Sequence, residues 1–168
     1  MKRMLILVLL AALAVGMAVP AAAVGSPVAP TVDPAATSPL PEVVLDPELE
    51  GYMVVELIPV ERAGELGEAA QTSFAESQSA LEEATPEGMT AQYFFYITAY
   101  YVNVDGTHSK VTEPFSVGFK IDNISEAVVK QFVNGEWIEL ETTISEDGIV
   151  MVKNAQDAPM AIFTKPLA

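Results

Sequence analysis

This chain has one histidine, His108, and no cysteine, which leaves few routes to covalent or metal chemistry. A serine hydrolase would use His108 as general base for Ser109 or Ser116, with a carboxylate behind it. No G-x-S-x-G turn is present to hold such a serine at the end of a strand. His108 falls in Asp105-Gly106-Thr107-His108-Ser109, a run that reads as an exposed loop. Protein zinc sites usually combine His and Cys ligands, and one imidazole without thiols makes a poor set. Thiol catalysis and haem attachment through cysteine are excluded outright. Asp105-Gly106 and Asp147-Gly148 lack the fixed-step oxygen ligands and closing Glu of a calcium loop, and a hairpin turn accounts for both pairs. The 23 Asp and Glu residues would be enough for an acid pair of the glycosidase kind. Most of them fall on a predicted helix face or in turns, where carboxylates are ordinarily solvated. The sequence therefore assigns no catalytic residue, no cofactor and no metal site, and reads as a protein that is not an enzyme.

The remaining side chains suited to a site are aromatic. Tyr93, Phe94, Phe95, Tyr96, Tyr100 and Tyr101 crowd one stretch, and Trp137 stands alone further on. On a strand, Tyr93, Phe95, Ile97 and Ala99 share one face, and Phe94, Tyr96, Thr98 and Tyr100 the other. Aromatics on both faces predict a central strand, with sheet core on one side and a helix on the other. Tyr96, Tyr100, Tyr101 and Trp137 are the candidate binding residues, since tyrosine and tryptophan rings stack on sugars or dock protein partners. The competing assignment places them in the core, with Trp137 packed between sheets.

The elements that must position these residues are legible. Residues 52–60 read as a strand rich in Val, Ile and Tyr. Over 62–84 the period changes: Leu66, Ala70, Phe74, Ser77 and Leu81 recur on one face of an amphipathic helix. Thr85-Pro86-Glu87-Gly88 stops it. Strands are predicted over 92–104, 115–121, 128–133, 136–140, 149–152 and 160–164. Asn134-Gly135 between two of them is a two-residue hairpin signal. Phe115, Val117, Phe119 and Ile121 alternate onto one face. The fold class expected is α+β, an antiparallel β-sandwich or sheet with one packed amphipathic helix.

The N-terminus carries Lys2 and Arg3, then an apolar run over 5–19, then Pro20 and Ala21-Ala22-Ala23. This is the pattern of a secretory signal peptide over 1–23, with a mature start between Val24 and Ser26. Residues 4–24 together are about as long as the roughly 20 residues that span a bilayer, so a retained anchor is the alternative. Residues 24–47 hold Pro27, Pro30, Pro34, Pro39, Pro41 and Pro47, and read as a Pro/Ala-rich linker of extended conformation. A single α+β domain is expected over 48–168. The net charge of −15 repels nucleic-acid backbones and anionic lipid surfaces. It excludes a nucleic-acid partner and limits membrane contact to the signal segment if uncleaved. The localisation expected is secreted or cell-surface-associated. Asn123-Ile124-Ser125 matches the N-glycosylation pattern and is read as coincidence.

The segments PFSVGFKI, AVVKQFVNGEWIELETTI, DGIVMV and APMAIF follow one another in a particular rhythm. Residues 113–165 resemble small exported β-sandwich modules of Gram-positive, gut-type bacteria, on Asn134, Gly135, Trp137, Asp147, Gly148, Ala158 and Pro159. Ala158 and Met160 depart from the Ser and Phe usual in those modules. Such modules are mostly of unassigned function; the resemblance implies an exported accessory or surface domain and transfers no catalytic residue. The function expected for the whole chain is non-enzymatic binding of an extracellular protein or glycan. A small extracellular hydrolase, or an inhibitor of one, is the alternative function.

Overall fold

The computed structural model describes residues 39–167. The expected signal peptide and most of the expected linker lie outside the described residues. All of the described residues belong to one compact unit.

The most apolar strand organises the rest. β3, Thr90–Val102, is flanked by β2, Met53–Pro59, on one side and by β10, Ala158–Pro166, on the other. β10 pairs onward with β6, Ile124–Val133, and β6 with β7, Glu136–Glu139. A short β4, His108–Lys110, pairs with the end of β3 and completes a six-stranded antiparallel sheet. A second sheet runs β1, Glu42–Val44, then β5, Phe115–Lys120, then β9, Ile149–Ala155, then β8, Thr142–Ile144.

Strand alternation decides which side chains fill the space between the sheets. Phe95, Ile97, Val129, Met160 and Ile162 come from the larger sheet and are fully buried. Val117, Phe119, Val150 and Val152 meet them from the smaller one. The Phe95 and Phe119 rings lie 5.7 Å apart across the interface. The alternation of Phe115, Val117, Phe119 and Ile121 is as the sequence predicts, and all four are buried.

The opposite face of the larger sheet is covered by helix. Phe94 and Tyr96 of β3, with Ile58 of β2, pack on Phe74. The expected single helix over 62–84 is three pieces: a 3₁₀ segment Val60–Glu65, α1 Glu68–Ser79 and α2 Leu81–Ala84. One break falls at Gly67, which is extended at φ −65° and ψ 156°, and the other at Ala80, at φ −96° and ψ 4°. Gly64 and Gly67 offer no side chain to bury and lose the most backbone freedom in a helix, so continuity there is costly. The predicted face survives: Phe74 and Ser77 are buried, and Leu66, Ala70 and Leu81 pack partly against the sheet. The Ser77 hydroxyl is satisfied by donating to the Phe74 carbonyl at 2.8 Å.

The expected linker over 24–47 also needs correction. Its last part is folded: Val43 pairs with Phe119, and β1 forms an edge of the smaller sheet. Pro41 is buried immediately before the strand, where a missing N–H is tolerated. Proline density masked Val43 and Leu45, two apolar residues that lie against the core. Close approach of β1 depends on Gly118, where a Cβ would lie 2.8 Å from Met151 Sδ and 3.0 Å from the Val44 carbonyl oxygen.

β4 and β8 were not foreseen, because three-residue edge strands carry little pattern. The Asn134-Gly135 hairpin is where the sequence puts it. Both residues have positive φ, 54° and 85°, and Phe132 stands opposite Trp137. That register places Trp137 on the helix-covered face, beside Ala84, Ala161 and Phe163, and not between the sheets. Among the described residues no helix is long and apolar enough to cross a membrane.

Candidate functional site

The four candidate aromatics do not form one platform. Tyr96 is buried under α1, its ring 6.0 Å from Phe74, and its hydroxyl donates to the Asp157 carbonyl at 3.1 Å. Burial, then the Asp157 charge, then Tyr100 push its pKa up to about 12. Trp137 lies near the far edge of the sheet, 5.5 Å from Phe132 and 6.3 Å from Phe94. Its indole N–H is buried without a hydrogen-bond partner. Tyr101 is exposed on the sandwich-side face, opposite Met53. Tyr100 alone is both half-buried and beside open space.

His108 follows from the same geometry. It belongs to β4 and not to a loop, and its ring lies 6.4 Å from that of Tyr100. Ser109 is the next strand residue and so points to the opposite face, where its hydroxyl donates to Asn103 Oδ1 at 3.0 Å. Ser116 belongs to the other sheet. Neither serine is placed for attack with His108 as base. Among the described residues no three His, Asp or Glu side chains gather as metal ligands. Asp105 serves its turn: hydrogen bonds from the Thr107 hydroxyl and N–H hold its carboxyl below the usual range.

Beside Tyr100 and His108 lies a groove of about 610 Å³. One wall is Leu40, Pro41 and Val43, leading into and along β1. The other is Val54, Val55, Glu56 and Leu57 of β2. β1 ends the smaller sheet and β2 ends the larger, so the groove lies between two sheet edges. It is apolar inside and acidic around. The connection from β1 to β2 carries the exposed Asp46, Glu48 and Glu50. On the outer face, the Arg62 guanidinium bridges Glu56 at 3.2 Å and Glu65 at 2.5 Å, leaving a net negative group. Those two carboxylates hold the Arg62 pKa above its ordinary value, and Arg62 pulls that of Glu65 down.

Of the residues lining this groove, the sequence singles out Tyr100 as a binding candidate and His108 as a loop residue, and no residue of the two walls. Leu40, Pro41 and Val43 fall inside the expected linker, and β2 reads as a strand without assignment to an edge or a centre. The signal available was Val54-Val55-Glu56-Leu57, where a charge interrupts a hydrophobic strand in the manner of protected edges.

The fold and groove define a class: a two-sheet antiparallel β-sandwich with helices on one outer face and an open groove between two sheet edges. Comparison with known proteins finds no family model, no curated protein and no solved structure that matches the chain.

Proposed function

We propose that this chain is an exported, non-enzymatic accessory or surface-associated domain that binds an extracellular protein or glycan in the groove between β1 and β2. The observation that carries this reading is the groove itself. It is apolar, flanked by two sheet edges, and bordered at one end by the Tyr100 and His108 rings. Concave apolar sites with a few polar groups at the rim are where ligands bind. The non-enzymatic part rests on placement, since the one imidazole faces Tyr100 while Ser109 points away. Export rests on the charged start, apolar run and alanine-rich exit of residues 1–23, and on the resemblance of residues 113–165 to exported modules.

The test is a binding titration of the full chain against soluble wall-type glycans and against peptides, followed by mass spectrometry of the ligand. We expect saturable binding that falls on Tyr100→Ala and leaves the ligand intact. Cleavage of the ligand would replace this reading with a hydrolase. Binding unaffected by Tyr100→Ala would move the site elsewhere. N-terminal sequencing of the secreted protein tests export, with a first residue between Val24 and Ser26 expected. Met1 retained in a membrane fraction would make the protein an anchored one.

A further inference from the structure

We infer that the groove takes an extended protein segment as an added strand on β2, and that this segment alternates apolar and basic residues. The inference rests on the binding reading above and specifies both mode and ligand.

Backbone parity carries the mode. The Val102 N–H donates to the Tyr52 carbonyl at 2.8 Å. In an antiparallel pair, alternate residues direct their backbone groups to the same neighbour. Tyr52, Val54, Glu56 and Ile58 therefore direct theirs to β3, and Met53, Val55 and Leu57 turn theirs outward. The other flank of β3 agrees, since Ala99 turns away from β2 and accepts from the Val111 N–H at 2.8 Å. The outward N–H of Met53 is used locally, by the Leu49 carbonyl at 3.0 Å. Those of Val55 and Leu57 face the groove, and among the described residues β2 has no second partner strand. An unpaired row of this kind is the template for strand addition.

Side-chain parity and charge carry the ligand. On an added strand, residues opposite Val55 and Leu57 point between the sheets, toward the apolar wall at Val43. Residues opposite Glu56 point to the outer face, where Glu56 and Glu65 share one guanidinium. Asp46, Glu48 and Glu50 stand beyond one end of the groove, and the whole chain carries −15. Apolar inward and basic outward is the complement. A second copy of this acidic chain is the poorer fit, because like charges would face each other across the edge.

The probe is a peptide of alternating lysine and valine as long as β2, 7 residues, with a glutamate–valine peptide as control. It is titrated into the full chain at low salt while amide exchange is followed residue by residue. We expect the lysine peptide to bind, the glutamate peptide not to, and the Val55 and Leu57 amides to become protected. Val55→Pro removes the outward donor without touching a bond to β3, and edge positions accept proline. It should weaken binding about tenfold or more, while Val55→Ala, which keeps the N–H and loses only apolar contact with the groove, should weaken it clearly less and leave the remaining protection of the residue 55 and 57 amides in place. Glu56→Gln should weaken binding and flatten its salt dependence. Peptide bound equally by Val55→Pro would overturn strand addition and leave the groove as a binding site. A glycan bound in place of the peptide would overturn this inference alone. A concentration-dependent dimer abolished by Val55→Pro would overturn it by making a second copy the occupant. If neither peptide nor glycan binds the groove, the broader reading fails as well.

Discussion

Replacing Phe74 by alanine tests how the helical layer is held to the sheet. Phe74 is 3% exposed, and its ring lies 4.9 Å from Phe94 and 6.0 Å from Tyr96. Truncating a buried phenylalanine costs about 3–5 kcal/mol, from lost transfer energy and the cavity left behind. Each aromatic pair adds about 0.5–1.5 kcal/mol beyond area. The small residues Ala63 and Ala70 flank the site, and the short helices can settle into part of the cavity, so the lower end applies. We expect a loss of about 3 kcal/mol, read as a fall in the midpoint of urea unfolding. In heat the same loss lowers Tm by roughly 10 °C for a domain of this size. Glu76→Ala, on the exposed face of α1, should stay within about 0.5 kcal/mol and serves as control. A loss below about 1 kcal/mol for Phe74→Ala would refute the packing of α1 on Phe94 and Tyr96. A change in the slope of the urea transition would mean that the helical layer unfolds apart from the two sheets.

Three further outcomes follow from single positions. Gly118→Ala puts a Cβ 2.8 Å from Met151 Sδ and 3.0 Å from the Val44 carbonyl, so it should cost about 1–3 kcal/mol and loosen β1, measured as faster exchange of the amides of residues 42–44. Gly135→Val forces a β-branched residue to φ 85° and should lower stability by about 1–3 kcal/mol in a thermal melt, whereas valine at the exposed strand residue Glu126 should be nearly neutral. The Tyr96 phenol, raised from 10.0 to about 12, favours the folded state while it is neutral; that contribution is complete below pH 10 and is lost as pH rises toward 12. Tyr96→Phe should therefore show a smaller fall in stability over this interval than the parent, and an equal fall would deny the shift.

Local pattern was enough for much of the fold. The period-two runs over 92–104 and 115–121 fixed which side chains face the core, because adjacent residues of a strand must point oppositely. Asn134-Gly135 fixed a hairpin, because few other pairs tolerate two positive φ angles. The spacing of Leu66, Phe74 and Leu81 fixed the buried helix face even though Gly67 interrupts the helix. Aromatics on both faces of residues 93–101 point to a central strand covered on both sides, and Tyr100 stands among the candidates only because tyrosine rings also suit a binding platform.

What the sequence could not decide is which strands end a sheet. An edge strand differs from a central one in what is missing beside it, and that depends on partners distant in the chain. Val43 joins the smaller sheet only because Gly118 lets β1 approach, and the Pro-rich run before it hid that contact. Trp137 faces the helices because the register of β6 against β10 sets the face of Phe132, and the hairpin then carries Trp137 with it. The groove itself is the gap between the last strands of two stacked sheets. No local spacing encodes such a gap, since it arises only when residues 40–43 and 54–57 are brought face to face by the folding of everything between β2 and β9.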